Sequence, residues 1–211
     1  MFQAGDLVVY GTTGVCRVES IDRPNMTGAD RHKEYYRLKP LYQDGFIYTP
    51  VDNPKVFIRP VVSREEAERL IDLIPSIRAE AYRAPTLQAL AQHYQTVVHS
   101  HSCQDLIELM MSIYAKQKQA ESLNRRLGMV DERYRKQAEH LLYGELSVAL
   151  EIPFDDVQAY IGRRVEEQTA RLHLRHRFRY GLRDKRRAPH WRQLLHRDLL
   201  SAPQAYARGD G

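Results

Sequence analysis

The chain has 211 residues, 43% hydrophobic and 28% charged, which allows one or two small domains with buried cores and argues against disorder throughout. Cys16 and Cys103 are too few for a disulfide framework, and neither a signal-peptide pattern nor a run long enough to span a bilayer is present, so a soluble, reducing, cytoplasmic setting is expected. The net charge of +5 is uneven: residues 1–62 carry +1, 63–168 carry −4 and 169–211 carry +8, so the body is no general polyanion binder.

Leu7 to Tyr10 predicts a first strand, Gly11 to Gly14 a turn, and Val15 to Ile21 a second strand. In that second strand Cys16, Val18 and Ser20 share one face, and both faces mix polar with apolar residues. Asp22 to Lys33 is polar, holds Pro24 and Gly28, and predicts a loop before a third strand at Tyr35 to Lys39. Asp44-Gly45 is a hairpin signal of the type I′ kind, joining that strand to Phe46 to Thr49. Val56 to Arg59 completes the set before Pro60. Five short strands in about sixty residues predict a small Tudor-like or SH3-like barrel over residues 1–60.

The hydrophobic period then changes from two to about 3.6 residues. Ser63 with Glu66 has the capping-box spacing, and the helix that follows carries Ala67, Leu70, Ile71 and Ile74 on one face before Pro75. Ser76 to Arg83 predicts one or two further turns. Thr86 caps a helix with Leu87, Leu90, Ala91, Tyr94 and Val98 inward, and Ser102 caps one with Leu106, Leu109, Met110, Ile113 and Tyr114 inward. After Leu127-Gly128 comes a long helix carrying Tyr134, Ala138, Leu141, Leu142, Val148 and Ala149, then a last one with Val157, Tyr160, Ile161 and Val165. Residues 61–168 thus predict a compact all-α bundle. From Thr169 the chain becomes arginine-rich and histidine-rich without a core-forming stripe, which predicts a poorly ordered basic tail over 169–211.

His99, His101 and Cys103 place three potential metal ligands in five residues, but no second ligand pair stands at a zinc-site spacing. They read as a polar interhelix loop, and no metal or cofactor is expected. Glu65-Glu66, Asp131-Glu132, Asp155-Asp156 and Glu166-Glu167 are adjacent pairs whose side chains diverge on a helix, and early-helix acids suit the dipole. With no phosphate loop, dinucleotide fingerprint or nucleophile elbow, no catalytic residue is assigned and an enzyme is not expected. Lys116, Lys118, Arg125, Arg126, Arg133, Arg135 and Lys136 flank one interhelix turn against only Glu121, Asp131 and Glu132. Such a cluster suits either backbone phosphates or a solvated helix surface.

Several ordered segments carry a family resemblance. FQAGDLVVY at 2–10, Gly14-Val15, Ile21, YRLKP at 36–40, YTPVDN at 48–53 and Arg59-Pro60 resemble the CarD family of bacterial transcription regulators. Asp131-Glu132-Arg133, Ala138 and Leu142 to Leu146 are similar to that family's penultimate helix. The resemblance implies a Tudor-like module that binds the RNA polymerase β subunit, with Arg23, Tyr36, Tyr48, Thr49 and Pro50 at the polymerase-facing edge. It also implies a helical domain over 61–168 that contacts upstream promoter DNA and helps hold the open complex. The DNA-facing candidates are Tyr82, Arg83, Lys116, Lys118, Arg125, Arg126, Arg133, Arg135 and Lys136. A monomer with no membrane association is expected.

The chain departs from the family in three places. Gly11 stands where a proline is usual, the only tryptophan is Trp191 in the tail, and the tail itself is additional. Some family members wedge a tryptophan into the minor groove; Tyr82 and Tyr94 are the candidates here for that place. Two other readings stay open: an adaptor that links polymerase to a second protein without touching DNA, and an enzyme using His99, His101 and Cys103.

Overall fold

The computed structural model describes residues 1–23, 30 and 32–180, with side chains as far as Arg171. Five strands form one antiparallel sheet: β1 (Leu7–Tyr10), β2 (Gly14–Asp22), β3 (Tyr35–Pro40), β4 (Ile47–Pro50) and β5 (Ile58–Pro60), in the order β4-β3-β2-β1-β5. The sheet does not close. β4 and β5 stand at its two edges, so a barrel's ladder is not completed among the described residues.

One face of the sheet gathers Val8, Cys16, Val18, Tyr36 and Leu38 into a small core. These residues follow the two-residue period of a pleated strand, and the register pairs Val8 with Cys16 and Val18 with Leu38. A register shift between Val18 and Ser20 turns the end of β2. Val9 and Val15 are also buried, although they alternate with that set, so both sides of these strands are covered, with α4 packed against β2. Burial on both sides explains the weak alternation of β2 in the sequence.

The link between β3 and β4 spans residues 41–46 and is not the two-residue hairpin that Asp44-Gly45 predicts. Gly45 has the expected positive φ of 101°, but Asp44 does not share it. The reason lies in Tyr42, which leaves the sheet to donate its hydroxyl to the Gly144 carbonyl at 3.2 Å and to pack on Phe154.

The helical half contains α1 (Arg64–Leu73), α2 (Leu87–Val98), α3 (Cys103–Ser122), α4 (Met129–Leu150) and α5 (Val157–Tyr180), with single 3₁₀ turns at Ile74–Ser76 and Phe154–Asp156. Ser63, Thr86 and Ser102 accept hydrogen bonds from the amides of Glu66, Ala89 and Asp105, as their spacing predicts. Only half of the first capping box forms, because the Glu66 carboxylate turns to Arg69 instead. Residues 77–86 make no helical turn, and Leu87 is exposed rather than inward. The helix α5 runs on through residues 169–180, into the stretch read as tail, and 181–211 lie outside the described residues.

The helix α4 is the common support. It touches β2 on one side and α1, α2, α3 and α5 on others, and seven successive residues, Leu141 to Ser147, are buried. A helix buried all round needs small residues where neighbours approach closely, and Gly144 is such a place: an added Cβ would lie 3.0 Å from the Tyr42 ring. Gly144→Val should therefore lower stability by about 1–3 kcal/mol through overpacking. Thermal unfolding checks this, and an unchanged midpoint would show that Tyr42 can move away freely.

Candidate functional site

The sheet and the bundle are joined by a buried ionic cluster. Glu145 of α4 is 2% exposed and receives both Nη1 and Nη2 of Arg59 from β5, the second at 2.8 Å. The backbone N–H of Val62 donates to Glu145 Oε1 at 3.0 Å, and the Cys103 thiol donates to Oε2 at 3.1 Å. Arg59 also donates to the His101 carbonyl from Nε and Nη2, at 3.1 and 2.8 Å. Four donors around one carboxylate satisfy a charge that would otherwise be very costly to bury. Burial and then the Glu145 charge push the Cys103 thiol well above its ordinary range, and burial alone raises Cys16 to about 11. Neither sulfur is an activated thiolate.

This cluster makes the two sheet edges unlike each other. β5 is held to the α2–α3 loop by Arg59 and by Phe57, whose ring stacks on His101 at 4.5 Å. β4 has β3 as its single ladder partner among the described residues, and its outer side is open. Tyr48, 39% exposed, points outward there opposite Arg37, and the Arg37 guanidinium lies 3.9 Å from the centre of the exposed Phe46 ring. Of the residues assigned to the polymerase-facing edge, Tyr48 and Arg23 are exposed and Pro50 is half-buried.

Tyr36 and Thr49, by contrast, are buried. They are cross-strand partners at 3% and 4% exposure, facing the sheet core, where the Tyr36 hydroxyl accepts the Phe2 amide and Thr49 accepts from Asn53. Their side chains shape the edge from within.

The cationic cluster at the α3–α4 turn divides in two. Lys116 Nζ donates to the buried Asp131 at 2.7 Å, on the same oxygen that accepts the Tyr94 hydroxyl. Arg135 is held by Glu132 and Glu139, and Lys118 by Glu121. Each of these three cations is thus paired with a carboxylate of the protein. Arg125, Arg126 and Arg133 are exposed and make no ion pair among the described residues, and Lys136 is exposed with Glu132 3.8 Å away. The outward charge is thus concentrated at the tip.

Tyr82 and Arg83 lie in the 77–86 segment. The Tyr82 ring stacks on His93 at 3.8 Å, and Arg83 donates to Gln119. Tyr94 is fully buried and bonded to Asp131, so it is core. His99 and His101 stand edge-on with ring centres 6.2 Å apart, and no group of three or more metal-ligating side chains converges among the described residues. No described helix is long and apolar enough to cross a membrane.

Residues 2–62 match the family model of the CarD-like/TRCF RID domain. The resemblance read from FQAGDLVVY, YRLKP and YTPVDN is consistent with that match, which covers the whole sheet. This domain implies interaction with RNA polymerase and a transcription-related role. No curated protein is significantly similar to the chain.

Sequence reasoning missed the Arg59–Glu145 pair as a site. Its signal was a lone carboxylate within the apolar run Leu141 to Val148. Glu145→Ala should cost about 3 kcal/mol, the lower end for breaking a buried pair because Arg59 keeps some solvent. Chemical denaturation measures this, and a cost under about 1 kcal/mol would rank the pair with ordinary surface bridges.

Burial lowers the proton affinity of His93, His101 and His140 below the ordinary 6.5. A base whose folded pKa is depressed favours the unfolded state as it takes up protons, so stability is complete above pH 6.5 and falls as pH drops below it. The melting temperature should decline between about pH 6.5 and 5, and replacing all three with Gln should flatten that slope.

Proposed function

We propose that this protein is a non-enzymatic transcription regulator. It docks on the β subunit of RNA polymerase through the open β4 edge, and the tip of the α3–α4 hairpin contacts the backbone of upstream promoter DNA, modulating open-complex stability. It acts as a cytoplasmic monomer and needs no cofactor. The observation that carries this reading is the asymmetry of the sheet: within the matched domain one edge is fastened to the bundle and the other is left free with an outward aromatic. A free edge offers a row of unpaired backbone groups, and exposed side chains beside it supply specificity.

The tip supplies the second contact. Arg125, Arg126, Arg133 and Lys136 suit phosphates without reading bases. A second reading has its own support: with Lys116, Lys118 and Arg135 tied to carboxylates, and residues 63–168 carrying −4, the bundle also suits an adaptor that holds another protein.

Reversing charge at Arg23 (Arg23→Glu) together with Tyr48→Ala should abolish pull-down of the β subunit, and unchanged capture would reject the β4 docking edge. In footprints of the polymerase–promoter complex, alanine at Arg125, Arg126, Arg133 and Lys136 should erase upstream protection. Protection that persists would transfer the bundle to the adaptor reading.

A further inference from the structure

Residues 77–86 cross α2 and α3 as a strap without a helical turn. Ser112 of α3 pins the strap at its centre: the hydroxyl donates to the Glu80 carbonyl at 2.7 Å and accepts the Tyr82 amide at 3.1 Å. Strap and helices enclose a groove of about 610 Å³. Ile77, Val97 and Leu109 line it with apolar surface, and the stacked rings of Tyr82 and His93 line it as well.

Three carboxylates face the same groove, Glu80 from the strap and Asp105 and Glu108 from α3, against one guanidinium, Arg78. His93 adds no charge near pH 7, because burial holds its proton affinity below the ordinary 6.5. Many other acids of the bundle are neutralised by a neighbour: Glu66 by Arg69, Asp72 by Arg164, Glu121 by Lys118 and Asp131 by Lys116. Glu80 and Asp105 form no ion pair among the described residues, and Glu108 accepts the neutral Gln104 side chain at 3.1 Å.

An occupant that suits this groove is cationic and carries an apolar side chain between its charges. Such a sequence stands in the chain itself, as Arg186-Arg187-Ala188-Pro189-His190-Trp191-Arg192, within residues 181–211, where seven basic residues stand against three acidic ones. The chain also delivers it beside the groove. Arg64 at the start of α1 reaches the Leu150 carbonyl just before α5, and Asp72 near the end of α1 meets Arg164 within α5, so the two helices run parallel. The helix α5 then packs against the 3₁₀ turn at Ile74–Ser76, and Ser76 itself lines the groove. Ten residues separate Tyr180 from Trp191, a reach of up to about 35 Å.

We propose that Trp191 of the same chain occupies this groove, packed on Ile77, Val97 and Leu109, with Arg186, Arg187 and Arg192 meeting Glu80, Asp105 and Glu108. The basic C-terminal stretch is thereby an intramolecular ligand of the bundle and not a free arm for nucleic acid. A covalent link supplies roughly mM effective concentration, so a contact of about 0.1 mM affinity between separate molecules is made most of the time within one chain. This contact lies outside the polymerase and DNA surfaces and depends on neither reading.

Trp191 is the chain's single tryptophan, so the full-length protein carries its own probe. Its emission should lie to the blue of that from a synthetic peptide of residues 181–211, and acrylamide should quench it several-fold less. The triple variant Glu80→Gln, Asp105→Asn, Glu108→Gln should move emission to the peptide value and raise quenching several-fold. Because Asp105 sits in the first turn of α3, circular dichroism and thermal melting of this variant are recorded alongside. Arg186→Glu with Arg187→Glu and Arg192→Glu, all outside the bundle, should release Trp191 equally. Combining that variant with Glu80→Arg, Asp105→Arg and Glu108→Arg should restore protection, which a folding defect would not do.

Wild-type emission and quenching equal to those of the peptide would overturn the proposal and leave the groove to a cationic segment of another protein. Protection that survives both triple variants would overturn the groove as the place where Trp191 lies. Protection lost on dilution would overturn the intramolecular contact and assign it to two copies of the chain.

Discussion

One carboxylate decides how this molecule is put together. Glu145 sits within the stretch of α4, Leu141 to Ser147, that is buried on every side, and its charge is tolerated because β5, the β5–α1 link and the start of α3 all supply donors to it. A buried ion pair of this kind adds little net stability compared with a well-packed apolar core, yet it is unforgiving of misplacement. An altered strand register or a shifted α3 would leave a charge unpaired in a low-dielectric interior. The cluster therefore selects one arrangement of sheet and bundle over near alternatives.

That selection bears on both interaction surfaces. The β4 edge belongs to the sheet and the cationic tip belongs to the bundle, and α4 runs from the tip at Met129 to the ionic cluster at Glu145 without a break. Tyr42 against Gly144 and Gly14 against Leu141 pack the sheet on the same helix. The distance between the two surfaces is consequently set by a continuous helix and close packing, with no flexible linker between Pro60 and Ser63 long enough to let it vary.

The sequence showed the strands because Gly, Pro and Asp punctuate them, and the helices because Ser63, Thr86 and Ser102 announce their starts. It did not show that the sheet stays open, since strand pairing at the edges is decided by contacts between residues far apart in the chain. Tyr36 shares its buried face with Leu38 while Lys39 faces solvent, an alternation legible in YRLKP, whereas burial on both sides blurs the pattern of β2. The cationic cluster was legible as composition but not as available charge. Lys116 finds Asp131 across two helices, and nothing in the local spacing announces that pairing. Arg125 and Arg126, by contrast, sit in a turn where local pattern and final exposure agree.

The family match ends at Val62, and the ionic cluster lies across that boundary. Cut there, the sheet would lose the carboxylate that receives Arg59 and the Val62 amide, and would bare the side of β2 that α4 covers. In this chain the matched segment therefore shares buried surface with the helix α4 that follows it. Its strands β2 and β5 both meet α4, β2 by packing and β5 through Arg59, so in this chain the sheet and that helix form one buried unit.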